Sequence, residues 1–136
     1  MIQTTQPSAL AVRCAAENDL EGFYRNEMAL RRETMFPPYA RMLNLTIRGL
    51  DEEKVRKATE ELSQKAEETA VKYERLEVFP AMPCLIEKRA RYYRYHVLLR
   101  SESVADVLLA GAEILHQFKV PHGLYLEIDM DPLSLT

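Results

Sequence analysis

The order of apolar periodicities after residue 40 constrains the fold of this chain most strongly. From Arg41 to Arg48 the side chains alternate between apolar and polar with the period of a half-buried strand. Asp51 then occupies a capping position, with Glu52 and Glu53 in the first helical turn, where the helix dipole favours anions. A stripe of helical period follows, formed by Val55, Ala58, Leu62, Ala66, Thr69 and Tyr73. This part of the chain therefore predicts a strand followed by a long helix.

The next segment predicts two strands in succession. Leu76 to Phe79 is a short strand in this interpretation, and Pro80 and Pro83 interrupt it. Prolines of this kind are typical of an edge strand or a bulged turn, because proline cannot donate a ladder hydrogen bond. A hairpin turn is expected at Lys88 to Ala90, and the strand after it ends near Ser101.

A second helix and a last strand complete the pattern. Ser103 can cap the helix, whose expected buried face is Val104, Val107, Leu108, Gly111, Leu115 and Phe118. Gly111 lies within that stripe and indicates close packing. Leu124 to Met130 alternates again, and Pro132 ends the strand. The order strand, helix, strand, strand, helix, strand predicts an α+β fold of the ferredoxin-like, split βαβ kind, with both helices on one face of an antiparallel sheet.

Residues 1–39 have a different pattern, which predicts two helices without a sheet. Ala9 to Glu17 is rich in helix formers, and Asn18 or Asp19 can cap a second helix from Leu20 to about Glu33. Phe36-Pro37-Pro38-Tyr39 then forms a rigid elbow, since a residue before proline is pushed out of the helical region. We therefore expect linking helices in 1–39 and a separate α+β domain in 40–136.

Charge is distributed unevenly along the 136 residues. The formal net charge is −3, which argues against a globally basic nucleic-acid-binding protein. Glu87 to Arg100, however, contains five basic residues and one acidic residue. Any polyanion would therefore bind locally, and its affinity would fall with salt.

The basic segment also contains alternating tyrosines, and strand geometry divides its side chains between two faces. Tyr93, Tyr95, Val97 and Leu99 are expected in the core. The uncovered face would show Asn44, Thr46, Arg48, Tyr92, Arg94, His96, Arg100, Tyr125, Glu127 and Asp129. Such a mixture resembles the open sheets on which single-stranded nucleic acids stack. The candidate nucleic-acid-binding residues are Lys88, Arg89, Arg91, Tyr92, Arg94 and Arg100.

An ordinary strand explains the same segment about equally well. Tyrosines are common in strands, and arginine side chains extend along them into water. Glu127 and Asp129 lie on the neighbouring predicted strand and could neutralise Arg94 and Arg100 as cross-strand pairs.

Other chemistries have weaker support. Asp129 and Asp131, with Glu127, could hold a divalent metal, but a strand terminus that turns before Pro132 is the simpler interpretation. The sequence has no glycine-rich phosphate loop and no nucleophile motif beside a histidine. Cys14 and Cys84 fit buried small hydrophobes. No apolar run approaches the roughly 18 residues of a membrane span, so we expect a cytoplasmic location and no membrane partner.

Several short motifs, taken in order, resemble a known family. They are Ile2-Gln3-Thr4 with Pro7, Phe23-Tyr24 with Glu27 and Arg31, Phe36-Pro37-Pro38-Tyr39-Ala40-Arg41, Pro80-Ala81 with Pro83, Glu87-Lys88, Tyr92-Tyr93-Arg94 and Ile128-Asp129-Met130-Asp131-Pro132. Over its whole length the chain is similar to the C-terminal part of the bacterial PriA family, the primosomal protein N-prime or replication-restart DNA helicases. The family often has a glycine in the hairpin where this chain has Ala90-Arg91.

The resemblance implies a role in DNA replication restart. Ile2 to Thr4 would correspond to the last strand of the second helicase lobe, so that residues 1–39 would hold the end of that lobe and the linking helices. In that family the ATP site, the helicase motifs and the zinc-binding cysteines lie upstream, so we expect no cofactor and no enzyme activity in this segment.

Two functions follow from the resemblance and the residues together. The first is a domain that positions branched or single-stranded DNA beside the helicase motor at stalled forks. The second is a protein-interaction module of the primosome that docks on its own helicase lobes and on the acidic tail of single-strand-binding protein.

Overall fold

The chain divides into two compact units, Met1–Tyr39 and Ala40–Thr136, in a computed structural model that describes residues 2–133 and 135. Among those residues, no helix has the length and apolarity that crossing a membrane requires. The elements of the described residues are α1 (Leu10–Glu17), α2 (Leu20–Glu33), β1 (Arg41–Gly49), α3 (Glu52–Ala70), β2 (Glu77–Arg89), β3 (Tyr92–Ser101), α4 (Val104–Gln117) and β4 (Leu124–Met130).

The first unit contains α1 and α2. The side chain of Asp19 accepts a hydrogen bond from the Gly22 backbone N–H at 2.8 Å, so Asp19 is the predicted N-cap of α2. Arg31 donates to the carbonyl of Pro37 at 3.0 Å and ties the segment after α2 back to the helix. Ile2 to Thr4, which the resemblance assigned to a strand, have no regular secondary structure.

The second unit is a four-stranded antiparallel sheet with the strand order β2-β3-β1-β4. β1 is central and pairs with β3 on one side and β4 on the other, while β2 and β4 are the edges. The element order in this unit is βαββαβ. This confirms the prediction of an α+β, ferredoxin-like split βαβ fold.

Helices α3 and α4 cover one face of the sheet, and the core lies between the helices and the sheet. Asp51 and Ser103 accept hydrogen bonds at 3.2 Å from the backbone N–H groups of Lys54 and Asp106, respectively. These bonds confirm both residues as the predicted N-caps of α3 and α4. The fully or nearly fully buried core side chains include Leu45, Ile47, Val55, Leu62, Val97, Leu99, Val107 and Ile114. The large apolar area removed from water here is the main stabilising contribution to the domain.

Strand β2 corrects the sequence analysis. The predicted strand from Leu76 to Phe79 continues instead through both prolines to Arg89. It tolerates them because it is an edge strand whose register shifts between Phe79 and Met82 and again between Pro83 and Lys88. The edge position was therefore predicted correctly, whereas the expected interruption of the strand at Pro80 and Pro83 was wrong.

Helix α4 faces the sheet through part of the predicted side, since Val107, Gly111 and Phe118 are buried as expected. Its buried residues are Val107, Ala110, Gly111 and Ile114, whereas Val104 and Leu108 are exposed. A Cβ atom at Gly111 would lie 2.5 Å from Leu43 Cδ2, so the helix packs close to β1 at this glycine, as predicted. The sequence of α4 is apolar on almost every side, and its periodicity alone did not select the buried face.

Candidate functional site

The sheet face opposite α3 and α4 carries the polar side chains of β1, β3 and β4, and we call it the polar face. Its middle is not the open platform that the pattern predicted, because Asn44, Thr46 and His96 are 8%, 3% and 4% exposed. Cys84, which lies within the second register shift of β2, is also buried, and its thiol interacts with the Thr46 side chain. The accessible side chains of the polar face lie at the end near the β2–β3 hairpin and along the edge strand β4, where Asp129 is also exposed.

The hairpin turn consists of Ala90 and Arg91 rather than the predicted Lys88 to Ala90. Arg89 pairs with Tyr92, so two residues connect the strands. Ala90 and Arg91 have φ angles of 49° and 76°, the positive values that a two-residue hairpin turn of type I′ requires at both positions. This turn brings the Arg89 and Tyr92 side chains to the same sheet face.

A pocket of about 300 Å³ lies at this end of the polar face. It is lined by Arg48, Arg89, Ala90, Tyr92, Arg94 and Glu127, and we call it the arginine pocket. All four strands contribute, and the register places Arg48 of β1 directly opposite Arg94 of β3. Three guanidinium groups against one carboxylate leave the pocket with a formal charge of +2.

Arg48 is held by two tyrosine rings. Its guanidinium carbon lies 4.9 Å from the ring centroid of Tyr92 and 4.9 Å from that of Tyr125. The two rings contact each other edge to face at 6.1 Å. Its Nε atom lies 2.6 Å from Oε1 of Glu127, in an ion pair that does not have the direction of a hydrogen bond. Cation–π contacts with two neighbouring rings therefore restrain the position of this cation.

Arg94 is the least exposed cation of the pocket, with 12% of its side chain accessible. Its Nη2 atom lies 3.7 Å from Oε2 of Glu127, which is an ion pair but longer than a hydrogen bond. Its Nη1 atom is buried and has no hydrogen-bond partner among the described residues. A buried guanidinium donor without an acceptor is costly, so the site favours an added anion.

The six predicted residues separate into two groups. Arg89, Tyr92 and Arg94 line the arginine pocket. The other three lie elsewhere, because Lys88 donates to the Tyr93 hydroxyl on the helix-covered side at 3.0 Å, and Arg91 is exposed in the turn. Arg100 pairs with Glu77 of β2 and stacks on Phe79, with its guanidinium carbon 4.9 Å from the ring centroid.

The sequence analysis did not select Arg48 or Tyr125 as site residues. Both belong to the face that alternation identified correctly, and the register places them opposite each other on β1 and β4. The sequence could have identified Arg48 and Tyr125 only through their place on this shared face, because neither belongs to a local motif. The expected neutralisation is partial, because Glu127 pairs with Arg48 and Arg94 whereas Arg100 is paired by Glu77.

Asp131, which follows β4, connects the end of this strand to the start of β1. Asp131 accepts a hydrogen bond from the Met42 backbone N–H at 3.0 Å and forms an ion pair with Arg41. Within the described part of the chain, no group of three or more histidine, cysteine or acidic side chains is arranged to hold a metal ion. Asp131 is thus engaged at the end of β4, beside the start of β1.

Beside the pocket lies a buried pair of titratable groups, Cys84 and His96. Burial raises the pKa of the Cys84 thiol, against the opposing effect of Arg94, so the thiol is protonated at neutral pH. Burial and the nearby Arg94 charge both lower the pKa of His96. The neutral forms of both groups are favoured here, which leaves the arginines as the charged groups of this region.

Sequence comparison identifies relatives of the whole chain. Residues 32–133 match the family described as the primosomal protein N C-terminal domain. Replication restart protein PriA of Treponema pallidum is 33% identical over 135 residues, and the protein of the same name from Borreliella burgdorferi is 27% identical over 135 residues. Both alignments cover 99% of this chain and 20% of the relative, so the chain spans about a fifth of their length.

Structural comparison supports the fold without addressing function. The de novo designed protein Foldit4 superposes with a TM-score of 0.51 at 20% sequence identity, over 67% of this chain and 94% of the designed chain. The sequence matches confirm the family resemblance noted from the motifs. The chain therefore belongs to the primosomal protein N C-terminal domain family.

Proposed function

We propose that this chain acts in replication restart as a non-catalytic domain that binds and positions branched or single-stranded DNA through the arginine pocket. The relatives that are named replication restart proteins support the process. The arginine pocket supports the ligand class, because guanidinium groups form paired hydrogen bonds with phosphate oxygens. A helicase motor, its ATP and its zinc would belong to the rest of a longer protein, and a cytoplasmic location follows from the same proposal.

The observation that carries this proposal is the unpaired Nη1 donor of Arg94. This donor is buried, and Arg94 lines, with Arg48 and Arg89, a cavity that has a single carboxylate. A backbone phosphate would supply a further acceptor and would reduce the formal charge of the pocket from +2 to +1. Phosphate oxygens are therefore the acceptors that complement this pocket best.

The tyrosines next to the pocket favour nucleic acid over a free anion. Tyr125 is 51% exposed and lies beside the Arg48 guanidinium. A base that stacks on an exposed aromatic ring contributes roughly 1–3 kcal/mol. A nucleotide could thus place its phosphate near Arg94 and its base on Tyr125.

Replacing the exposed Arg89 tests the proposal with little risk to folding. We expect Arg89→Ala to weaken binding of fluorescein-labelled forked DNA, measured by fluorescence anisotropy at several salt concentrations. Because one phosphate contact is lost, the slope of log K against log salt should decrease in magnitude by about 0.9.

The matched control is Arg75→Ala, an exposed arginine in the segment between α3 and β2 that makes the same change in net charge. It should leave both the affinity and the salt slope near those of the unmodified chain. Equal effects of the two substitutions would indicate general electrostatics and would contradict a specific pocket.

A second candidate function is a docking site for acidic proteins. The pocket already accommodates a carboxylate, that of Glu127, between Arg48 and Arg94. The acidic tail of single-strand-binding protein, other primosome proteins or helicase lobes of a longer protein could present similar groups. A labelled acidic peptide titrated beside the forked DNA separates the two functions, since the docking function requires the peptide to bind more tightly than DNA.

A further inference from the structure

Glu127 lies where an anionic ligand of the arginine pocket would bind. Its two carboxylate oxygens face two different arginines, with Oε1 2.6 Å from Nε of Arg48 and Oε2 3.7 Å from Nη2 of Arg94. Carboxylate and phosphate are recognised by the same guanidinium donors. Glu127 and a DNA phosphate therefore compete for the same partners.

The two sides of this ion pair differ in how firmly the chain holds them. Arg48 contacts the rings of both Tyr92 and Tyr125, and these contacts do not depend on the carboxylate. Glu127 lies on the edge strand β4, and 47% of its side chain is exposed. The carboxylate can therefore turn into solvent while the guanidinium keeps its position.

We infer that Glu127 is an internal competitor that DNA must displace from Arg48 and Arg94 on binding. The inference rests on the proposed DNA-binding function and deepens it. With the carboxylate in place, the pocket has a formal charge of +2, and with the carboxylate turned out it offers three cations to the phosphate. Glu127 thus lowers the affinity for DNA and partly neutralises the two opposed arginines when DNA is absent.

Removing the charge of Glu127 tests the inference directly. We expect the full chain with Glu127→Gln to bind labelled forked DNA up to about fivefold more tightly, as loss of a competing, partly exposed ion pair allows. The slope of log K against log salt should become steeper by up to about 0.9, because one further phosphate can be neutralised by protein.

The matched control is Asp129→Asn, two residues further along the same strand. It makes the same change in net charge, and Asp129 is exposed opposite Asn44, outside the residues that line the pocket. A gain in affinity for Glu127→Gln that clearly exceeds that for Asp129→Asn supports the inference. Equal gains in the two variants, or weaker binding by Glu127→Gln, would overturn it.

The Arg89→Ala variant separates failure of this inference from failure of the proposed function. If Arg89→Ala weakens DNA binding and Glu127→Gln does not strengthen it, the pocket binds DNA without displacing the carboxylate, and only the inference is wrong. If Arg89→Ala has no effect, the proposed function is wrong and the inference is overturned with it. Circular dichroism melting of each variant verifies that the fold is intact.

Discussion

Arg48 shows how one residue can acquire a role through contacts that are distant in sequence. Its guanidinium touches Tyr92 of β3, Tyr125 of β4 and the carboxylate of Glu127, also of β4. Like charges directly opposite on neighbouring strands are destabilising, and Arg48 faces Arg94 in this way. The two tyrosine rings and the Glu127 carboxylate offset part of the repulsion between Arg48 and Arg94. The repulsion that is not offset would be reduced by an anionic ligand.

His96 gives a prediction for stability against pH at the scale of one residue. Burial and Arg94 lower its pKa below the ordinary value of 6.5 in the folded state, so the unfolded chain binds the proton more readily. The free energy of unfolding therefore includes a contribution from neutral His96. This contribution has its full value above pH 6.5 and is lost as the pH falls below 6.5. Urea denaturation between pH 7.5 and about 5, above the range where most carboxylates titrate, should show the decrease.

The non-titrating variant His96→Gln isolates this contribution. It should have a weaker dependence of unfolding free energy on pH in that range, whereas His122→Gln, at an exposed histidine before β4, should behave like the unmodified chain. A pH dependence that survives His96→Gln unchanged would assign the effect to other groups.

The β2–β3 hairpin is the element on which the site depends. Its two-residue turn determines that Arg89 shares a face with Tyr92 and Arg94 and that Lys88 does not. The turn achieves this with two non-glycine residues in left-handed conformations, Ala90 and Arg91. Such conformations cost about 1 kcal/mol per residue, and strain of this kind is often found next to binding sites.

Glycine at the first turn position should relieve part of this strain. We expect Ala90→Gly to raise the free energy of unfolding by about 1 kcal/mol, because glycine adopts positive φ without a Cβ clash. Chemical denaturation measures the change. The same substitution in an ordinary helix, Ala112→Gly at an exposed position of α4, should lower the stability by about 1 kcal/mol. Destabilisation by both changes would contradict the strained turn.

The elements that the sequence predicted well are those with local signals. Asp19, Asp51 and Ser103 cap the helices where their side chains indicated, because capping acts within one turn. The course of β2 and the buried face of α4 depend on cross-strand register and on the contact of Gly111 with the sheet. These are long-range effects, so local pattern could not determine them.

At the scale of the whole molecule, the two sides of the sheet differ in charge. Helix α3 has six acidic residues against four basic ones. α3 covers one sheet face, and the arginine pocket opens on the other. An approaching polyanion would therefore be repelled from the helical side and attracted to the hairpin end of the polar face, despite the net charge of −3.

Part of this site could be predicted from the sequence and part could not. Alternation placed Tyr92 and Arg94 on the polar face, because strand geometry has a fixed period. Of the six candidates taken from the basic segment, these two and Arg89 line the pocket. The roles of Arg48 and Glu127 arise only when β1 and β4 pair, and the burial of His96 depends on the bulged edge strand. Sequence thus indicated the surface, and tertiary pairing determined the site within it.

The central claim is that DNA binds at the arginine pocket, and chemical-shift mapping tests it most directly. We expect forked DNA, titrated into the ¹⁵N-labelled 136-residue chain, to shift the amide signals of Arg48, of residues 89–94 and of residues 125–127. The Nε–H signals of the pocket arginines should shift with them, while amides on the outer surface of α3 stay unchanged. Shifts confined to α3 and α4, with the hairpin and β4 unaffected at saturating DNA, would contradict the account.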